Sequence, residues 1–238
     1  MFRLAFRRAR LRFALGAAFA LALPLWLPAA PSARAWTLSA LCLLAPWLVL
    51  GRDARSQAEG WRQALCDVPR GGRLVLLELL PPFGVLLLGA LMGTGFAWRP
   101  AVALVAWGAC LVTAADAFDR GFGRAGPAWV AVLIAALALM LAPLWLAPWF
   151  GEARLAPWLA TGAIALHPAG VVLSAADLPA LQDPMFYAFS LSGVVEVRPV
   201  PWTWGTAVFS LAAAAGAARA VRAVRRLPAT VSPARSWV

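Results

Sequence analysis

Few side chains in this sequence can move a proton or hold a metal, and they are spread along its length. His167 is the only histidine. Its unperturbed pKa of about 6.5 would let it titrate near neutrality. A lone histidine makes no metal site, however, and the setting His167-Pro168-Ala169-Gly170 points to a hydrogen-bonded structural role in a turn. Cys42, Cys66 and Cys110 are odd in number and widely spaced, so neither a disulfide framework nor a CxxC metal site is indicated. Glu78, Asp116 and Asp119 lie in or beside apolar runs. An ionised group inside a bilayer costs roughly 2.5–3.5 kcal/mol, so interfacial pairs are expected, Glu78 with Arg73 and Asp119 with Arg120 or Arg124. The phosphate loop GxxxxGK followed by Ser or Thr, the HExxH pattern and the GxSxG elbow are all missing. The chain is expected not to be an enzyme and to carry no cofactor or metal; any ATP hydrolysis must come from a partner chain.

The elements that would position these residues are apolar. Hydrophobic residues make up 63% of the 238 and charged ones only 13%, with a mean hydropathy of +0.78, whereas an average soluble domain is roughly 25% charged. About 20 apolar residues cross the ~30 Å hydrocarbon layer as a helix. Such stretches occur at 13–30, 36–50, 74–97, 101–118, 128–149 and 203–219, with a further one at 155–176. Arginine supplies all 21 basic residues and clusters between these stretches, the pattern of a GC-rich bacterial genome. The net charge of +11 therefore reads as topology, not as nucleic-acid binding.

Charge also decides the number of crossings. With the arm 1–12 in the cytoplasm, the loop 51–73 and the pair Arg120 and Arg124 fall on the same side, as the positive-inside rule requires. If 155–176 crossed fully, the segment 177–202, with Asp177, Asp183 and Glu196, would be cytoplasmic and the arginine-rich tail 219–238 would lie outside. If it enters the outer leaflet and turns back at His167, Pro168 and Gly170, only Arg34, Arg99, Arg154 and Arg198 are outside. The second arrangement is expected, because Pro removes a backbone donor and Gly tolerates a tight turn. The fold expected is an all-α integral membrane protein, a single transmembrane domain over 1–238. It has an N-terminal amphipathic helix, six transmembrane helices and an external re-entrant hairpin within 150–202, before the last span. Both termini are expected in the cytoplasm, and Pro81 and Pro82 are expected to bend the third span as a hinge. Trp26, Trp36, Trp47, Trp98, Trp145, Trp149, Trp158, Trp202 and Trp204 stand near span ends as an aromatic belt.

Between the second and third spans runs Arg52-Asp53-Ala54-Arg55-Ser56-Gln57-Ala58-Glu59-Gly60-Trp61-Arg62-Gln63-Ala64-Leu65-Cys66-Asp67-Val68-Pro69-Arg70-Gly71-Gly72-Arg73. A polar cluster and a Gly, then apolar residues, a Pro and a basic turn, resemble the cytoplasmic stretch of the membrane subunits of type-2 class ABC exporters. The overall layout is similar to theirs as well. The resemblance implies a permease in the bacterial cytoplasmic (inner) membrane, working as a homodimer or heterodimer with a separate ATPase subunit. It also implies a coupling surface at Arg55, Glu59, Arg62 and Gln63, and an amphipathic or lipid-linked substrate. Gly16, Ala17, Ala18 and Ala20 would then belong to a dimer interface of small residues. The alternative is a non-transporting scaffold or assembly subunit, and a weaker one is an embedded enzyme acting on lipid.

Overall fold

The computed structural model describes residues 14–22, 31–50, 80–122, 125–141, 162, 165–178 and 201–225. Apart from short turns these are helical, and no strand occurs among the described residues. In chain order the helices are α1 (14–22), α2 (Pro31–Leu50), α3 (Leu80–Thr94), α4 (Trp98–Phe122), α5 (Ala125–Met140), α6 (Pro168–Ala175) and α7 (Trp202–Arg225). Runs of Leu and Ala, strong helix formers, account for them. The all-α expectation is met.

Short turns and glycine contacts fix how the helices run. α3 passes to α4 through Gly95, Phe96 and Ala97, with φ of 66° at Gly95 and 70° at Phe96. The Phe96 N–H donates to the Leu91 carbonyl at 2.7 Å, closing the last turn of α3 in the manner of a Schellman cap. The two helices therefore run antiparallel, and Gly108 lies against Phe83 and Leu86. α2 is antiparallel to α3, since Thr37 meets Gly93 and Leu41 meets Gly89. α5 packs on α4, and its last residue, Met140, is joined through His167 to α6, whose far end meets Arg99 at the start of α4. α4 and α7 share the most extensive interface of these helices. They run parallel, as matched pairs show: Trp98 with Trp202, Trp107 with Phe209, and Thr113 with Gly216.

One end of the bundle thus gathers the start of α2, the α3–α4 turn, the end of α5 and the start of α7. The residues expected outside, Arg34, Arg99 and Asp177, come to this end. Side chains with almost no exposure, Leu38, Leu41, Leu48, Leu86 and Leu104, fill the middle.

Among the described residues one helix, Trp98–Phe118, is long and apolar enough to cross a membrane, with a mean hydropathy of 1.8. The apolar helices Arg34–Leu50, Pro81–Thr94 and Val130–Met140 are shorter. α7 has 24 residues, but its alanines and C-terminal arginines keep its apolarity below that of α4. Helix length and composition therefore carry one of the six expected crossings.

Candidate functional site

The sequence break at 167–168 is a break in the helix. Gly162 and Ala165 are helical, His167 is extended with φ −71° and ψ 117°, and α6 starts at Pro168. A proline at the first position of a helix lacks an N–H that would be unpaired there in any case. The Gly170 N–H donates to His167 Nδ1 at 3.1 Å, so the ring caps α6. Nδ1 accepts and is therefore unprotonated, which leaves Nε2 carrying the proton. Nε2 donates to the Met140 carbonyl at 2.9 Å. One buried imidazole thus ties the end of α5 to the start of α6; His167 caps α6, and Pro168 and Gly170 lie in its first turn.

The other end of α6 returns to the same end of the bundle. The Leu178 N–H donates to the Leu173 carbonyl at 3.1 Å, and Asp177 stands at the left-handed position between them with φ 54°. Asp177 Oδ2 then lies 3.4 Å from Arg99 Nη1, in the first turn of α4. An eight-residue helix is about 12 Å long, far short of a bilayer. Most of α6 is buried, including Val171, Val172 and Leu173. It packs on α2, α4, α5 and α7. Gly205 of α7 sits so close that an added Cβ would overlap Val171 and come within 2.7 Å of the Ala165 carbonyl.

Between the start of α4 and the end of α6 opens a cleft of about 340 Å³, lined by Ala97, Trp98, Arg99, Ala175, Ala176 and Asp177. Trp98 and Trp202 meet edge to face with centroids 6.1 Å apart. Phe96, Trp98 and Trp204 are largely exposed at this end. Lower down, two buried polar atoms in α4 and α7, Trp107 Nε1 and Thr206 Oγ1, have no hydrogen-bond partner among the described residues.

The remaining site expectations fare differently. Arg55, Glu59, Arg62 and Gln63 lie outside the described residues, as do Glu78 and Arg73. Pro81 and Pro82 are the second and third described residues of α3, next to the segment 51–79 that lies outside the described residues, and Pro46 is the proline inside α2. Gly16 packs on Trp47 and Leu48, and Ala20 is fully buried with its carbonyl near Gly89. These two therefore serve contacts within the chain. Among the described residues no three His, Cys, Asp or Glu gather as a metal site. The Arg99–Asp177 pair was missed by sequence reasoning; the signal available was that the charge argument puts both residues on one side. Comparison with family models, characterised proteins and solved structures gives no match.

Proposed function

We propose that this chain is a polytopic membrane protein and serves as the membrane subunit of an ATP-driven exporter. It works as a homodimer or heterodimer with a separate ATPase subunit. The observation that carries the reading is the order of parts among the described residues: apolar helices, then the short helix α6 held at one end, then α7. This is the layout of the type-2 exporter class that the 51–73 segment resembles. Support for a lipid surround comes from the outward faces, where Phe19, Leu43, Leu88, Val102, Ile134 and Leu211 are all exposed. A monomer in water rarely leaves large contiguous apolar patches uncovered.

In this reading six spans cross the bilayer, both termini and the loop 51–73 face the cytoplasm, and α6 is the external re-entrant helix. ATP drives such a device only if the ATPase binds one of two arrangements of the dimer more tightly. Arg55, Glu59, Arg62 and Gln63 receive that difference, and the first turn of α3 at Pro81 and Pro82 is where the third span pivots.

The test is purification in mild detergent with the products of neighbouring genes. An ATPase subunit is expected to co-elute, and to be lost when Arg55, Glu59 and Arg62 are replaced by Ala. If no ATPase accompanies the intact chain, the scaffold reading replaces this one.

A further inference from the structure

The cleft at the bundle end joins two helix ends of opposite polarity, each carrying a charge of the sign its own helix disfavours. Arg99 stands in the first turn of α4, where unpaired N–H groups already give partial positive charge. Asp177 follows the last turn of α6, beside carbonyls that carry partial negative charge. For stability alone the two residues would be exchanged. Their one contact, 3.4 Å between Nη1 and Oδ2, is longer than the about 2.7–2.9 Å of a strong charge-assisted bond. Arg99 is 49% and Asp177 81% exposed, so neither is committed to the protein interior.

A lone anion entering this cleft meets Asp177, and a lone cation meets Arg99. A molecule that carries both charges, separated, satisfies both poles at once. The volume of about 340 Å³ falls in the range of small-molecule sites, about 300–1,000 Å³. Small walls, Ala97, Ala175 and Ala176, leave the polar groups accessible. The exposed rings of Phe96, Trp98 and Trp204 mark this end as one suited to the headgroup layer.

We propose that this cleft binds the zwitterionic headgroup of a membrane phospholipid, with its phosphate at Arg99 and the start of α4, and its ammonium at Asp177 and the end of α6. A soluble phospho-ammonium compound offers the same charges. The lipid is favoured because Trp98, in the cleft lining, would stand beside its glycerol and acyl chains. The inference rests on the reading above that this end of the bundle lies at a membrane surface.

The test places the full chain in nanodiscs of equal phosphatidylethanolamine and phosphatidylglycerol, then measures by mass spectrometry the lipid retained after a detergent wash. The chain is expected to retain phosphatidylethanolamine about fivefold over phosphatidylglycerol, the scale of one charge-assisted contact. That preference disappears in Arg99→Gln and in Asp177→Asn. The exchange of both residues, R99D with D177R, keeps an ion pair and the fold but also loses the preference, because the poles of the cleft are then cancelled. Equal retention of the two lipids by an incorporated wild-type chain overturns the cleft assignment and leaves the membrane reading standing. The same overturning result is a preference that survives R99D with D177R. Release of the retained lipid by micromolar glycerophosphoethanolamine assigns the site to a soluble ligand and overturns the lipid. A chain that remains soluble without detergent and enters no nanodisc overturns the membrane reading and the cleft assignment together.

Discussion

α4 meets two partners in contrasting ways. Along its length it lies against α7 with matched, closely packed residues, Trp107 on Phe209 and Thr113 on Gly216. At its first turn it faces α6 across an open, charged gap. In the seam, small residues let the backbones approach and the interaction is dispersion over many atoms. At the cleft, small residues leave space, and the charges run against the helix dipoles. Small side chains thus do two opposite jobs, and only the partner across the gap decides which. The contrast teaches that the seam is built for stability and the cleft for something that enters it.

The largest effect should come from filling a close approach. Gly205→Val puts methyl groups where Val171 and the Ala165 carbonyl already stand. The backbone oxygen cannot rotate away, so the expected loss is about 2–3 kcal/mol, in the upper part of the range for overpacking. Denaturant titration of the solubilised chain reads it. A substitution tolerated within ~0.5 kcal/mol would show that α6 and α7 are not in close contact.

His167→Ala comes next, at about 2 kcal/mol, because it removes the α6 cap and also strips the Met140 carbonyl of its donor. Protonation acts in the same direction. A proton on Nδ1 would face the Gly170 N–H that this atom now accepts. Only the neutral ring suits the fold, so the contribution is fully present above the ordinary histidine range, about 6.5, and is lost as pH falls below it. Unfolding midpoints taken from pH 8 to pH 5 should fall for the wild type. His167→Asn, which can still cap through its side-chain oxygen, should flatten that slope.

How much of this was legible in the sequence depends on the distance between partners. The break at His167-Pro168 was legible because Pro and Gly act on their own local backbone. The charge pattern put Arg34, Arg99 and Asp177 on one side, and the structure has them at one end of the bundle. The ion pair of Arg99 and Asp177 was not legible, since 78 residues separate them and their meeting depends on where α6 docks. Gly16 and Ala20 meet Trp47, Leu48 and Gly89 of their own chain, contacts that were not legible for a related reason. A small residue marks a close approach, but its sequence does not say whether the neighbour belongs to the same chain. Pro81 and Pro82 were read as a bend because proline removes a backbone donor, and they are the second and third described residues of α3.

Thr206→Val tests the seam with the opposite sign. The hydroxyl is buried without a partner among the described residues, and an unpaired buried hydroxyl costs about 1–3 kcal/mol that an apolar group of the same shape does not. The variant is expected to be neutral or up to about 1 kcal/mol more stable. A clear loss of stability would mean that the hydroxyl has a partner, such as a buried water shared with Trp107 Nε1.

The smallest effect, and the sharpest for the contrast, is that of exchanging Arg99 and Asp177 on stability. In R99D with D177R each charge would sit at the helix end that favours it, the acid at the start of α4 and the base after α6. The gain per site is about 0.3 kcal/mol, the lower figure for exposed charges at helix ends, and salt screens it. A rise in the unfolding midpoint at low ionic strength that vanishes in ~1 M salt is therefore expected. A midpoint that rises while the protein loses its choice of headgroup would separate the two properties in one variant. A fall would show that the present arrangement is the stabilising one, and the cleft would then differ from the seam only in size.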